Sequence, residues 1–237
     1  MRNITVVLSG GTGTRLGAEL PKQYIRLLGK PILVHTLEQL QRCEAIDGIL
    51  VAADPAWQSQ ILQWKEAFSL RKLLAVTPSG KNRQHSIRNG LLAAEEFIDN
   101  HPESGVLIQD AVRPLTSTAL LTQLLAKLQE APCVMPALPI TDTVYTSLNG
   151  QWVDGLLDRS RLFAGQAPEA FRFWPYLALY RDAPEESLSA LSGSCQLPYS
   201  QGWHVKMIPG ELENMKITYP NDLERCAKLL QERDVMP

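Results

Sequence analysis

Ile4-Thr5-Val6-Val7-Leu8, followed at once by Ser9-Gly10-Gly11-Thr12-Gly13-Thr14-Arg15-Leu16-Gly17, decides the fold class. The first five residues form a short β-branched run of the kind that makes a buried strand, and the glycines stop it in a loop. From Pro31 onward Ile32, Leu33, Thr36, Leu37 and Leu40 recur at helical spacing, with proline at a first helical position where its missing N–H costs nothing. The strand, loop and helix unit then repeats. Strands are predicted at 48–52, 73–76, 105–109 and 133–138, and helices at 56–68, 83–98 and 117–129. Such alternation implies an α/β fold: a Rossmann-like, mostly parallel sheet flanked by helices and joined by right-handed crossovers.

The pattern changes between about 141 and 173. There Thr143-Val144-Tyr145-Thr146 and Gln151-Trp152-Val153 read as two strands around an Asn149-Gly150 turn. This segment is either a β-arm that protrudes from the sheet or an internal antiparallel edge hairpin. A short helix near 175–181, a poorly periodic stretch at 182–201, a strand at 203–208 and a closing helix from Pro220 complete the chain. Neither repeats nor a linker break it, so 1–237 reads as a single domain.

The length of 237 residues is near the upper limit for one core. A 45% apolar and 20% charged composition is ordinary for a globular protein. With 23 Lys plus Arg against 25 Asp plus Glu there is no overall field to hold a nucleic acid or an anionic membrane, so an anionic ligand must be held by local charges. The four cysteines lack metal or disulfide spacing, and no apolar run suits a signal peptide or a membrane span. A cytoplasmic protein is expected.

The glycine loop lies at the carboxyl end of the first strand, where open α/β sheets bind ligands. A dinucleotide fingerprint needs glycine where Leu16 stands, and a Walker loop needs Gly-Lys in place of Thr14-Arg15. What remains is a nest of backbone N–H groups over Gly10, Gly11, Thr12 and Gly13, with Arg15 and Lys22 beside it. That combination suits a polyphosphate. A tight turn with solvated cations is the alternative.

Together with Pro21-Lys22-Gln23-Tyr24 and Gly29-Lys30-Pro31-Ile32, the loop resembles the sugar-nucleotidyltransferases. Gly80 to Ser86 with Asn89-Gly90-Leu91, then Asp110-Ala111-Val112-Arg113-Pro114, Pro139 to Thr143, Asp158-Arg159 and Asn214-Met215-Lys216-Ile217-Thr218, are similar to the cytidylyltransferases that act on alditol phosphates. The resemblance implies transfer of CMP from CTP to an alditol phosphate, with release of pyrophosphate. It further implies Arg15, Lys22 and Lys216 as catalytic cations. Gly10, Gly11, Thr12, Gly13, Gly80, Arg83, Ser86, Asp110 and Ala111 would hold CTP, with Gly80 and Ser86 reading cytosine. Arg159, Asp142 and Thr143 would meet the acceptor, and the arm would pair two copies into a homodimer so that Arg159 reaches the neighbouring site.

The chemistry agrees with these residue types. Negative charge spread over several phosphate oxygens requires positive groups around it. The attacking phosphate monoester, with a second pKa of about 6, is already ionised at neutral pH and needs no base. Magnesium bridging the phosphates needs only one or two carboxylates, and Asp110 is the candidate. His85 is expected to approach the base, and His35 to pack inside its helix. Taken singly, Lys216 also reads as a sheet-edge lysine, Asp110 as a helix cap, Arg113 as a surface partner and Arg159 as half of an exposed salt bridge.

The acceptor half departs from the family pattern. Leu191-Ser192-Gly193-Ser194-Cys195 replaces the usual Thr-Asp, no lysine follows Asp142-Thr143, Gln166-Ala167-Pro168 lacks a hydroxyl, and Lys81 stands where an acid is common. The loop and the Asp110 motif are closer to the ribitol 5-phosphate branch, and Asp158-Arg159 to the 2-C-methyl-erythritol 4-phosphate branch. A CTP-binding regulatory protein without acceptor chemistry and an NAD(P)-linked reductase are the rivals from other classes.

Overall fold

Strand and helix alternate along the chain as far as Pro139, and three of the helices there start where a side chain satisfies the first free N–H groups, while the first follows Pro31 without such a cap. The computed structural model describes residues 1–11 and 20–235. In order these form β1 (Asn3–Ser9), β2 (Arg26–Leu27), β3 (Lys30–Pro31), α1 (Ile32–Arg42), β4 (Gly48–Ala53), α2 (Pro55–Ala67), β5 (Leu73–Pro78), α3 (Arg83–Ala94), β6 (Gly105–Asp110), α4 (Thr118–Lys127) and β7 (Cys133–Pro139). Then come β8 (Val144–Thr146), β9 (Gly155–Leu157), β10 (Phe163–Gly165), β11 (Glu169–Arg172), α5 (Phe173–Asp182), α6 (Glu185–Ala190), α7 (Gln196–Ser200), β12 (Val205–Pro209) and α8 (Pro220–Val235). The side chains of Asp54, Asn82 and Ser117 accept from the first-turn N–H groups of α2, α3 and α4, which is why those helices begin there. Among the described residues no helix is long and apolar enough to cross a membrane.

The described strands build an eight-stranded sheet in which β6, β1, β4 and β5 lie side by side in parallel. The chain runs from β1 outward through β4 and β5, then returns to place β6 on the other flank of β1. The carboxyl ends of β1 and β6 therefore diverge into a crevice. Beyond β6, β11 lies antiparallel between β6 and β7, β10 continues antiparallel along the second half of β7, and β12 pairs with β7 in parallel. The sheet is thus mostly parallel with an antiparallel insertion, as its α/β pattern required.

Alternate side chains of each strand feed opposite layers. Val7, Ile49, Val51 and Leu107 pack beneath α1, α2 and α4, whereas Ile4, Val6, Leu50, Val106 and Ile108 pack beneath α3 and α5. A third cluster joins Ile32, Val112, Leu115 and Ile217 to Cys226 and Leu230 of α8.

Three expectations shift. The helix expected over 83–98 ends at Ala94, where the Phe97 N–H bonds back to Ala94 and tightens the chain into a turn. The second strand of the hairpin is Gly155–Leu157, not 151–153. Asn149 accepts from the Gln151 and Trp152 amides, and Asp154 accepts from the Leu148 amide, so those residues build the loop instead of the ladder. Finally, the segment from 141 to 173 divides. β8 and β9 form a separate exposed two-stranded sheet, while β10 and β11 belong to the central sheet.

α3 lies so close to β1 that a Cβ added at Gly90 would sit 2.3 Å from Val6 Cγ1. Gly90→Ala is therefore expected to lower stability by roughly 1–3 kcal/mol through overpacking. The check is thermal unfolding, where a loss of about 2–4 °C per kcal/mol is expected for a chain of this size.

Candidate active site

Five stretches of backbone converge above the crevice between β1 and β6, and each is held by identifiable bonds. Beyond β1, Gln23 Nε2 donates to the Ser9 carbonyl at 2.8 Å and to the Gly11 carbonyl at 2.9 Å, which fixes the start of the glycine loop. Tyr24 closes the same corner from below: its hydroxyl bonds to Ser9, and its ring stacks on Trp57 at 4.1 Å. Beyond β6, Thr36 Oγ1 of α1 donates to the Ala111 carbonyl at 2.8 Å, and the Ala111 N–H reaches the Leu8 carbonyl.

The loop from β5 to α3 supplies the third stretch. The Gly80 N–H donates to Ser86 Oγ at 3.0 Å, and Ser86 Oγ donates to the Asn82 carbonyl at 2.9 Å. A Cβ at Gly80 would lie 2.2 Å from His85 Cβ and 2.5 Å from the His85 carbonyl carbon, so only glycine lets this loop fold onto the first turn of α3. The fourth stretch carries Lys22 in a single 3-10 turn after Pro21, and the fifth is the segment before α8. Lys22 Nζ donates to the Ile217 carbonyl at 2.8 Å across 195 positions of sequence.

These stretches enclose a cavity of about 470 Å³ lined by Leu8, Gly10, Gly11, Lys22, Gln23, Gly80, Lys81, Asn82, Arg83, Ser86, Asp110, Ala111, Val112 and Lys216. Of the residues expected to act on a nucleotide, Gly10, Gly11, Lys22, Gly80, Arg83, Ser86, Asp110, Ala111 and Lys216 thus share one hollow. Thr12, Gly13 and Arg15 lie outside the described residues. Asp142, Thr143 and Arg159 do not line it. All three are exposed on or beside the arm, where Arg159 donates to the Thr141 carbonyl. His85 is also absent from the wall: it is buried between α3 and α6, with Nδ1 against Asn82 and Nε2 against Glu185. His35 packs, with Nε2 against the Leu27 carbonyl.

Asp110 is the electrostatic centre. Its carboxylate is 2.9 Å from Lys216 Nζ, 3.4 Å from Arg83 Nη2 and 3.6 Å from Arg113 Nε. Burial alone would raise its pKa, but Arg83, Lys216 and Arg113 together override burial and hold the group well below the usual carboxylate range. Asp110 is therefore a permanent anion facing a ring of cations. Arg113 is not the surface partner of the sequence reading: it is buried, and Nη1 donates to the Asn214 carbonyl at 2.5 Å. Asn214 in turn accepts from Thr116 and donates to Ala167. These bonds fix the segment that presents Lys216.

Composition and spacing did not single out Gln23, Asn82, Asn214, Glu169 or Ser194 as parts of this machinery. Gln23, Asn82 and Asn214 do stand inside quoted motifs, and Ser194 inside the segment that departs from the family pattern. For Glu169, the available signal was a carboxylate within the apolar run Ala167-Pro168-Glu169-Ala170-Phe171.

The family described as IspD: 2-C-methyl-D-erythritol 4-phosphate cytidylyltransferase matches residues 4–232. A ribitol-5-phosphate cytidylyltransferase of Streptococcus agalactiae serotype V is 32% identical over 99% of this chain and 97% of its own length. A 2-C-methyl-D-erythritol 4-phosphate cytidylyltransferase of Rubrobacter xylanophilus is 35% identical over 98% and 96%. A crystal structure of a 4-diphosphocytidyl-2C-methyl-D-erythritol synthase shares the fold, with a TM-score of 0.80 at 24% identity, over 97% of this chain and 98% of that one. With one family spanning it nearly end to end and relatives above 30% identity along its whole length, the chain belongs to the IspD family of cytidylyltransferases, which are nucleotidyltransferase enzymes.

Proposed function

We propose that the chain transfers CMP from CTP to an alditol phosphate, with ribitol 5-phosphate or a close relative as acceptor. The observation that carries the nucleotide half is the meeting of Lys22 and Lys216, from opposite ends of the chain, on one glycine-rimmed cavity with Arg83. For the acceptor, support comes from ribitol-5-phosphate relatives and from the missing lysine after Asp142-Thr143. The 35% identical Rubrobacter relative favours 2-C-methyl-D-erythritol 4-phosphate as the second reading.

In this mechanism an ionised phosphate oxygen of the acceptor attacks the α-phosphorus of CTP, the bond to the β-phosphate oxygen breaks, and pyrophosphate leaves. The acceptor needs no base at neutral pH. Backbone N–H groups at Gly10 and Gly11 and the Lys22 ammonium bind the outgoing phosphates, and Lys216 stabilises charge growing on the α-phosphate oxygens. Magnesium suits this donor set: Asp110 is an ionised carboxylate on the wall, and one carboxylate beside phosphate oxygens and water is its usual complement. Among the described residues no cluster of three acidic, histidine or cysteine side chains offers a cage without the nucleotide. Bound there, the ion would neutralise phosphate charge.

The arm completes the proposal. Tyr145 and Leu156 on the small two-stranded sheet, and Leu148, Trp152 and Val153 in the loop that joins its strands, are 58–95% exposed. Such a patch suits a second copy of the chain, whose Arg159, Asp142 and Thr143 would then meet the acceptor in the neighbouring cavity.

Pyrophosphate release from CTP and magnesium, measured against a panel of alditol phosphates, tests the reading. Turnover with ribitol 5-phosphate is expected, turnover only with 2-C-methyl-erythritol 4-phosphate selects the second reading, and no turnover with any acceptor refutes both. Lys22→Ala and Lys216→Ala should each lower kcat by about 100-fold or more, because each removes charge that matters most in the transition state. A near-normal rate in either refutes that role.

Asp110 predicts a pH dependence of stability. Its folded pKa is depressed, so its stabilising contribution is present above the ordinary value of about 3.9 and is lost as pH falls toward the folded value. The stability difference between the wild type and Asp110→Asn should therefore narrow as pH drops from about 5 to about 2. A difference that stays constant in urea melts over that range contradicts the ion-pair description. For the arm, light scattering should give a dimer for the wild type and a monomer for a Trp152→Glu, Leu156→Glu double variant; equal masses would dismiss arm-mediated pairing.

A further inference from the structure

We propose that Glu169 is a positioning residue of the nucleotide site, acting through Ser194 on the Arg83 guanidinium. The inference rests on the reading of the cavity as a CTP site.

Glu169 opens β11 and is paired with Ile108, two residues upstream of Asp110 on β6. It is 7% exposed and does not line the cavity, so it reaches a substrate only through another group. Its carboxylate accepts from Ser194 Oγ at 2.9 Å and lies 3.6 Å from Arg83 Nη2. Ser194 is fully buried and its hydroxyl has one proton. With that proton committed to Glu169, the lone pairs of Oγ are aimed at Arg83 Nη1, which donates to them at 2.6 Å. The result is a directed relay from Arg83 through Ser194 to Glu169.

The relay settles a competition between cations. Arg83 projects from the first residue of α3, and its other anionic neighbour among the described residues is Asp110 at 3.4 Å, the carboxylate that also holds Lys216. Without Glu169, Asp110 is the one carboxylate that the described residues offer the guanidinium, which then pulls harder on the carboxylate that Lys216 also holds, Arg83 on Oδ1 and Lys216 on Oδ2. With Glu169, Arg83 has its own counter-charge and stays on the cavity wall. A purely structural part at this strand end would be filled by glutamine, which has nearly the same volume, accepts the same hydrogen bond and avoids the cost of a buried charge. Burial indeed raises the Glu169 pKa, against the pull of Arg83.

The test is a double-mutant cycle read in the KM for CTP, with thermal unfolding in parallel. Glu169→Gln should raise KM about tenfold with kcat held within about twofold, the scale of one charge-assisted hydrogen bond lost from binding. On an Arg83→Met background the same change should move KM by less than about twofold, because the group it positions is gone. A rise of equal size on both backgrounds is the mark of a structural role and overturns the proposal, as does an unchanged KM on the wild-type background. Should Glu169→Gln not fold, Ser194→Ala cuts the relay at its middle and must show the same dependence on Arg83. Where turnover is slow, CTP binding by calorimetry gives the same cycle. Failure of the wild type to bind or turn over CTP refutes the nucleotide reading itself; a wild type that does both, with additive variants, refutes only the positioning role.

Discussion

Cations gathered at one cavity repel one another, and the fold must hold them together. Asp110 does this. Placed at the carboxyl end of β6, it contacts Lys216 at 2.9 Å and faces Arg83 and Arg113 within 3.6 Å, so three positive groups share one buried anion. An unpaired buried charge of either sign would be costly; Asp110 and, beside Arg83, Glu169 offset two of the three positive charges, and the remaining one faces the open cavity. The ion pairs with Asp110 keep Lys216 and Arg83 on the cavity wall.

The rest of the structure serves that arrangement. The reversal of strand order between β1 and β6 opens the crevice, α1 ties down the residue after Asp110 through Thr36, and Gln23 and Tyr24 anchor the glycine loop from the other side. The third apolar cluster has a related task. By packing Val112, Leu115 and Ile217 against α8, it presses the segment bearing Lys216 onto the loop bearing Asp110. Packing supplies the position, and polar contacts supply the direction.

Much of this was legible in the residues themselves. The run at Ile4 to Leu8 and the regular spacing of later apolar runs define strands and helices because burial imposes one period on sheets and another on helices. The cavity residues were legible for a different reason: taken singly Lys216 and Asp110 also read as a sheet-edge lysine and a helix cap, and it was the family's motifs at successive strand ends that tied them to one site. What stayed hidden depends on contacts between distant segments. The loop of the arm is set by Asn149 and Asp154 capping backbone amides, a side-chain preference that outweighs the alternating pattern of Gln151-Trp152-Val153. His85 points into α6 because Glu185 is there to receive it, and nothing near His85 in sequence says so. The buried roles of Arg113 and Glu169 likewise required Asn214 and Ser194 to be brought across the fold.

The bond from Lys22 to the Ile217 carbonyl has a consequence for biosynthesis. A growing chain leaves the ribosome amino end first, so the strands around β1 can begin to associate while their last partner is still unmade. The cavity stays incomplete until the residues near 217 have emerged, and nascent or prematurely terminated chains carry a glycine loop but no finished site.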